Sequence, residues 1–434
     1  MSKISLRLFS KIFPILFLLF ICLAFCGIAA ADSSSVQFSG GLGTAADPYR
    51  ITSVEQLNEI RHHPDSSFIL MNDLDFAGSI QNWVPIGKEN DLYYSFQGNF
   101  DGNNKTIHNL KIDFPGGQNN GLFYSIQAGS VSNLNFENAS VTSKCFYAGV
   151  LAAMIGPHAS VDNICISNST VSGANYGGLL AGNIYESTVS NCTIRNSFLN
   201  SGAGGMIVSD NKGNVTNSNV YNCTLITANG GGITAHNTFG GIVDKCFITD
   251  SIIETESSAG GISCTVRESS VTNCYSKNVS ISASNGHEPI SLGGIAGDVY
   301  NSKIGNCYTT ASVTSNRSSS RVGGIAGSCS MSQIENCISV NEKVEQHSDF
   351  FSISYRFKTG KIAGDETDSV FKDCYHQKGM KSNKIIFGGK NGNKVSSKEI
   401  SDFPNGIWEK WDTKNWTENP NENDFLPIHE SESD

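Results

Sequence analysis

From Gly121 to Asn341 one phrase of about 28 residues is written eight times. Its plainest mark is a glycine followed by an aliphatic residue: Gly121-Leu122, Gly149-Val150, Gly178-Leu179, Gly205-Met206, Gly232-Ile233, Gly261-Ile262, Gly294-Ile295 and Gly324-Ile325. Successive marks lie 28, 29, 27, 27, 29, 33 and 30 residues apart. A second mark falls between them at Val189-Ser-Asn191-Cys192, Val271-Thr-Asn273-Cys274, Ile304-Gly-Asn306-Cys307 and Ile334-Glu-Asn336-Cys337, with weaker copies such as Val131-Ser-Asn133-Leu134 and Val243-Asp-Lys245-Cys246. Four residues after each Cys position comes a third: Asn138, Asn168, Asn196, Asn222, Asp250, Asn278, Ala311 and Asn341. A unit this short cannot bury its own apolar face, so it must stack on its copies.

Each unit is rich in Gly, Asn, Ser and Thr, with short apolar runs and no helical periodicity. Around the glycine the residues alternate as in a strand, Gly293, Ile295 and Gly297 on one side and Gly294 and Ala296 on the other. The asparagines supply bends, because Asn tolerates the left-handed backbone a sharp corner needs. Two or three short strands per unit then stack into an all-β parallel β-helix (β-solenoid) of 8–9 coils, each of about 28 residues. Equivalent side chains recur along its axis about every 4.7–4.9 Å. A leucine-rich horseshoe would need a helix or a leucine-dense consensus, and neither is present.

The chain opens with Lys3, Arg7 and Lys11, an apolar run from Ile12 to Ile28, and Ala29-Ala30-Ala31 before Asp32. That order predicts a secretory signal peptide cleaved after Ala31. Retention as an N-terminal anchor is the alternative, since the run is nearly long enough to span a bilayer. No later segment is apolar enough to span. Losing the three cations takes the formal charge from −10 to −13. An acidic chain argues against nucleic acid or an anionic membrane surface as partner.

Four segments are expected. Residues 1–31 are the signal peptide, and 32–115 an N-terminal cap with the first irregular coils. The cap carries one helix signal over residues 53–62, with Thr52 and Glu55 as a capping box ahead of Val54, Leu57 and Ile60. Residues 116–375 are the repeats. Residues 376–434, with Trp408, Trp411 and Trp416, are a C-terminal cap and acidic tail. Caps are needed because a solenoid end exposes apolar surface and unpaired strand edges.

These phrases resemble the GLUG-motif family of secreted prokaryotic proteins, named for a Gly-Leu-x-Gly core. Gly178-Leu179-Leu180-Ala181-Gly182, Gly294-Ile295-Ala296-Gly297 and Gly324-Ile325-Ala326-Gly327 are similar to its repeat. Asp47-Pro48-Tyr49, Asn72-Asp73-Leu74-Asp75, Trp83-Val84-Pro85-Ile86-Gly87 and Phe100-Asp101-Gly102 are similar to its lead-in, and Asn415-Trp416 with Leu426-Pro427 to its ending. The resemblance covers about residues 40–428. It implies a right-handed parallel β-helix and a cell-surface or extracellular, often adhesin-like role, and it carries no catalytic residues. Thr234-Ala235 and Ser263-Cys264 depart from it, lacking the second core glycine.

Chemistry is sparse in the sequence. There is no His-Glu-x-x-His zinc motif and no Gly-x-Ser-x-Gly elbow, and His62-His63 reads as solvated. A polysaccharide-cleaving lyase or glycoside hydrolase, the alternative function, needs clustered carboxylates. The acids of the array (Asp162, Glu186, Asp210, Asp244, Asp250, Glu254, Glu256, Glu268, Asp298) are scattered, and no two adjacent repeats place acids at one offset. Asp73 and Asp75 share a strand face and form a weak calcium candidate, the plainer role being to bind cap backbone groups. The expectation is a non-enzymatic, monomeric, secreted or cell-surface solenoid without catalytic residues or cofactor. Its role is adhesive, recognitional or envelope-structural, and its partners are glycans or other cell-surface proteins. Contact loops are expected at Asn285–Ser291 and Asn316–Arg321, where the repeat lengthens.

Of the 13 cysteines, Cys22 and Cys26 fall in the signal segment. Cys246, Cys274, Cys307, Cys337 and Cys374 form one column with Cys192, interrupted by Ser218. Parallel Cβ vectors about one strand spacing apart are too far and wrongly aimed for a disulfide. Free, buried thiols are expected. Nine Asn-x-Ser/Thr sequons lie after residue 31. Those at Asn138, Asn168, Asn191, Asn222 and Asn278 coincide with the ladders, so glycosylation is expected at Asn104, Asn214, Asn316 and Asn415.

Overall fold

The computed structural model describes residues 36–78, 82–87, 95–113, 119–142, 144–284, 289–317, 319–347 and 358–382, with 397–400, 411, 416–418 and 427–429 beyond them. The expected signal peptide lies outside the described residues. The solenoid belongs to the compact unit Phe38–Asp434.

The fold is a parallel β-solenoid of about nine turns with almost no helix. Phe123, Ala152, Ala181, Val208, Thr234, Ser263, Ala296, Ala326 and Ala363 pair in sequence, each in parallel with the next coil. The coil that starts at Ala296 shows the plan. Strands Ala296–Tyr300, Lys303–Gly305 and Tyr308–Thr309 belong to a 28-stranded sheet, and Ser312–Ser315 and Ser320–Gly323 to a 17-stranded sheet. More strands are present than the repeat suggests, because each bend in this coil is only two to four residues long.

The asparagine bends are left-handed. Asn133, Asn163, Asn191, Asn217, Lys245, Asn273, Asn306, Asn336 and Asp373 all have φ between 48° and 55°. The second column, Asn138, Asn168, Asn196, Asn222, Asp250 and Asn278, spans 49° to 57°. Amides link the coils: Asn306 Nδ2 donates to Asn273 Oδ1 at 3.0 Å and Asn336 Nδ2 to Asn306 Oδ1 at 3.1 Å.

A third left-handed bend runs through Ala128, His158, Glu186, Phe239, Glu268, Asn301, Met331 and Asp368. No single residue type fills it, glutamate standing there twice and the others once each, so the repeat marks do not announce it. In the last four of these coils the geometry is held by the serine directly after the bend. Ser269, Ser302 and Ser332 N–H groups donate to the Oγ of Ser302, Ser332 and Ser369 at 3.1, 3.1 and 3.2 Å.

The cysteine column uses the same device. Cys192 N–H donates to Ser218 Oγ at 3.1 Å, and Cys246 N–H to Cys274 Sγ at 3.4 Å. Ser218 Oγ donates to Thr216 O at 2.8 Å, and Cys274 Sγ to Thr272 O at 3.0 Å. Each thiol is thus a hydrogen-bond relay as well as an apolar filler, and serine replaces it without changing the pattern. The described cysteines are free, and all but Cys165 are buried. Burial raises the thiol pKa, to about 12 at Cys192.

In the later repeats the glycine just before each mark has a steric cause. A Cβ at Gly231, Gly293 or Gly323 would lie 1.8, 1.9 or 1.8 Å from the carbonyl oxygen three residues on. No side chain fits inside that turn. The aliphatic residues beside it, Ile233, Ile262, Ile295 and Ile325, are fully buried. Ala296 is buried with Ile295, so strict alternation stops at the turn. The register also shifts once: Gly178 pairs with Gly205, and Gly205 with Gly231 rather than Gly232. The column continues through Gly260, Gly293, Gly323 and Gly360.

At the N-terminal end, helix Val54–Glu59 buries Val54 and Leu57, with Ile60 just beyond. Its cap is one residue later than the sequence suggests. Ser53 Oγ accepts from Gln56 N–H at 3.3 Å, and Gln56 Oε1 accepts from Thr52 N–H at 2.7 Å. At the other end, Ser397–Ile400 pairs with Cys374–Gln377 and extends the first sheet. Phe247, Tyr275 and Tyr308 stack on the outer face, 4.7 Å apart and within 6° of coplanar. Their faces are occupied by one another, and Trp416 lies 6.2 and 6.0 Å from Tyr275 and Tyr308. The C-terminal tryptophan therefore flanks the side of those coils.

Candidate functional site

The second glycine of the motif locates the site. A Cβ on Gly182 would meet Ala148 N and Tyr147 Cβ at 2.8 Å, and on Gly327 it would meet Leu292 N at 2.5 Å. The strand that leaves each glycine turn therefore lies against the strand that enters it, and the two form a re-entrant corner. At Ser209 and Cys264 the side chain that replaces the glycine bonds the facing backbone: Ser209 Oγ donates to Ala203 O at 2.8 Å and Cys264 Sγ to Ser258 O at 3.1 Å. This accounts for the departure at Cys264, whereas Ala235 adds only a methyl group.

Two columns line the corner. Tyr147, Tyr176, Ala203 and Asn229 follow one another on the entering strands. Met154, Asn183, Asp210 and His236 follow on the leaving strands, and Thr265 and Asp298 continue them. The Asp210 side chain is 11% exposed; its Oδ2 accepts from Asn183 Nδ2 at 3.0 Å and Lys212 Nζ at 2.9 Å. Lys212 reaches it because residues two apart on a strand share a face.

Across the corner the Tyr176 ring lies 6.0 Å from His236 and 5.5 Å from Tyr147. Phe146, 47% exposed, stands 5.0 Å from Tyr176 and completes an aromatic wall. Burial lowers the His236 pKa from 6.5; the Asp210 charge opposes that shift and Lys212 adds to it. The imidazole is neutral at neutral pH, with one donor and one acceptor. Burial, then the Asp210 charge, pushes Tyr147 up to about 12. Titratable groups perturbed together by burial and a shared charge make this a candidate site. The cluster can offer aromatic surface, an amide, an imidazole and one carboxylate to a ligand.

The residues singled out from sequence lie elsewhere. Asp73 Oδ1 accepts from Thr106 N–H at 2.8 Å, and Asp75 Oδ1 from Ala77 N–H at 2.8 Å and Asn109 Nδ2 at 2.7 Å. The Asn109 bond, then the Ala77 bond, holds the Asp75 carboxyl below its ordinary range. Among the described residues no three His, Cys, Asp or Glu side chains converge as metal ligands would. Asn104 and Asn316 are exposed and Asn214 half-buried, while Asn415 and residues 285–288 of the first expected loop lie outside the described residues. A shallow groove of about 660 Å³ follows the serine corner between Ile242, Glu268, Lys303, Met331 and Val370, without an aromatic wall.

Sequence reasoning misses the cluster. Asp210 reads as one of the scattered acids, and no repeat mark singles out Tyr147, Tyr176, Lys212 or His236. The signal is a constant offset: Asn183, Asp210 and His236 each fall five residues after the paired glycines Gly178, Gly205 and Gly231. Choosing Gly232 in place of Gly231 hides it.

No family model matches the chain. Halomucin of Haloquadratum walsbyi is 30% identical over 168 residues, which is 36% of this chain and 2% of that protein. A candidate Gly-rich membrane protein of Evansella cellulosilytica is 30% identical over 160 residues, 34% of this chain and 18% of that protein. This chain thus spans a small part of the relatives it matches. Among solved structures, a candidate immunoglobulin A1 protease from Bacteroides ovatus aligns over 91% of this chain and 95% of its own, with 20% identity and a TM-score of 0.33. A protein named IgA1 protease aligns over 77% of this chain and 21% of its own, with 13% identity and a TM-score of 0.36. The expectation of a non-enzyme is corrected here, because both structural neighbours are described as enzymes. The correction assigns no activity in its place. Among the described residues no helix is long and apolar enough to cross a membrane.

Proposed function

We propose that this chain is a secreted or cell-surface recognition solenoid that holds glycan chains in its re-entrant corner, in an adhesive or envelope-structural role. One observation carries the reading: an aromatic surface, Phe146, Tyr147 and Tyr176, stands beside Asn183, Asp210 and His236 on two columns that run along the solenoid axis. Aromatic rings pack on the C–H faces of sugars while amide, carboxylate and imidazole groups take their hydroxyls. An extended polymer can follow such columns from coil to coil. The names of the sequence relatives, halomucin and a Gly-rich membrane protein, support a surface location. In this reading residues 32–115 and 376–434 protect the ends of the array 116–375, and any glycosylation falls on Asn104, Asn214, Asn316 and Asn415.

A glycan array with a parallel cell-binding screen tests it, using the full chain and its Tyr176→Ala and Asp210→Asn variants. Binding by the parent that both variants weaken is expected. A blank array, or equal binding by all three, would end the reading.

A further inference from the structure

This inference rests on the glycan reading and narrows its ligand class. We infer that the corner between Tyr147–Tyr176 and Asn183–Asp210–His236 takes a neutral glycan chain and rejects an acidic one.

The first ground is that the cations named along the corner are already engaged. Lys212 Nζ is bound to Asp210 Oδ2 at 2.9 Å. Farther along the entering column, Arg321 and Lys358 both reach across to Asp365, the former at 3.0 Å. A uronate or sulfate would have to separate one of these pairs before gaining a counter-charge, and would strand a carboxylate in a partly dry corner. That loss is largest at Asp210, whose side chain is 11% exposed, and smaller at Asp365, whose pairs are about a third exposed. The leaving column also presents Asp298 beyond Thr265, a further repulsion for any anion lying lengthwise.

The second ground is that the remaining groups suit hydroxyls. Both bonds to Asp210 fall on Oδ2, which leaves Oδ1 to accept from a sugar hydroxyl. Neutral His236 both donates and accepts, as a hydroxyl does. Thr265 follows it in the next coil with the same dual capacity. The third ground is the wall. Phe146 and Tyr176 lie 5.0 Å apart and tilted by 48°, so they present apolar surface where a sugar ring would lie. Aromatic–ligand contact of this kind tolerates no hydration shell, which an anionic ring would retain more strongly than a neutral one. Asn183, Asp210 and His236 sit on successive coils, so neighbouring sugars meet different partners about one strand spacing apart.

The test is titration of the full chain with size-matched polysaccharides: neutral glucan, mannan and galactan against polygalacturonate and a sulfated galactan. The expected result is binding of at least one neutral chain, insensitive to salt between about 0.05 and 0.5 M. Tyr176→Ala should weaken it about tenfold, and Tyr176→Phe much less, since the ring face is kept. Circular dichroism and unfolding midpoints of both variants separate lost contact from lost fold. Salt-sensitive binding of an acidic chain, weakened by Lys212→Ala or Arg321→Ala, would overturn the inference while keeping the glycan reading. Binding of neither class would overturn both.

Discussion

The asparagine bends and the glycine corner reverse the same chain with opposite consequences for chemistry. At the bends a side chain makes the turn possible, and its amide is then consumed by the coil above or below. Asn306 is bonded on both sides, to Asn273 and Asn336. At the glycine corner the backbone alone makes the turn, because a Cβ does not fit. The two strands come together so closely that residues a few positions away meet across the gap, with the rings of Tyr176 and His236 only half-buried. Tyr176, Asp210 and His236 meet in this way from three different coils. Groups that build the fold are lost to recognition, and here the site lies where side chains were not needed to turn the chain.

The largest effect should come from the corner. Gly323→Ala puts a Cβ 1.8 Å from Ala326 O, a backbone atom that cannot step aside. A loss of about 3 kcal/mol or more is expected, seen as a lower denaturant midpoint. An unchanged midpoint would show that the turn is looser than the geometry says.

The bends should be more forgiving. Asn306→Ala holds φ 53° without the polar side chain that eases the left-handed backbone, at a cost of about 1–2 kcal/mol, and it also removes two amide bonds. Asn306→Gly keeps the bend and loses only the amides. If both variants lose equally, the left-handed backbone is not what selects asparagine.

His236 couples the corner to pH. Its folded pKa lies below the ordinary 6.5, so the unfolded chain takes up the proton first. Its contribution to stability is present above pH 6.5 and is lost as the pH falls from there toward the folded value. His236→Asn should flatten that limb of a stability–pH profile. A profile identical to the parent's would mean that the imidazole is not buried against the corner.

The smallest effect belongs to the cysteine column. Cys274→Ser should stay within about 1 kcal/mol of the parent, since a hydroxyl keeps the relay that Ser218 already shows. Cys274→Ala removes it and should cost more in the same unfolding assay. A thiol reagent should label this column slowly in the native state and fully once unfolded; rapid native labelling would place the thiols outside the core.

Much of this is legible in the residues. The spacing of Gly-aliphatic pairs, the Asn columns and the buried Ile and Cys positions each follow from one rule: residues one period apart are neighbours along the axis. That rule is local, repeats in every coil, and specifies stacking without knowledge of the cross-section. It yields the parallel solenoid, the left-handed asparagines and the free cysteines. The capping box reads one residue early in the sequence, because Thr52 and Ser53 are both competent caps and only packing chooses between them.

The corner obeys a different rule. Contacts across it join strands on different sides of the coil, and which residues meet depends on coil length to a single residue. The step from Gly205 to Gly231 is one shorter than the sequence marks suggest, and it alone aligns His236 with Asp210. The serine corner is equally hidden, because its bend residue varies through Glu268, Asn301, Met331 and Asp368 while the serine directly after it holds the geometry. Periodicity therefore determined how the coils stack. Only the folded cross-section decided which side chains from different coils face one another, since that depends on where the backbone turns inward and not on which residues repeat.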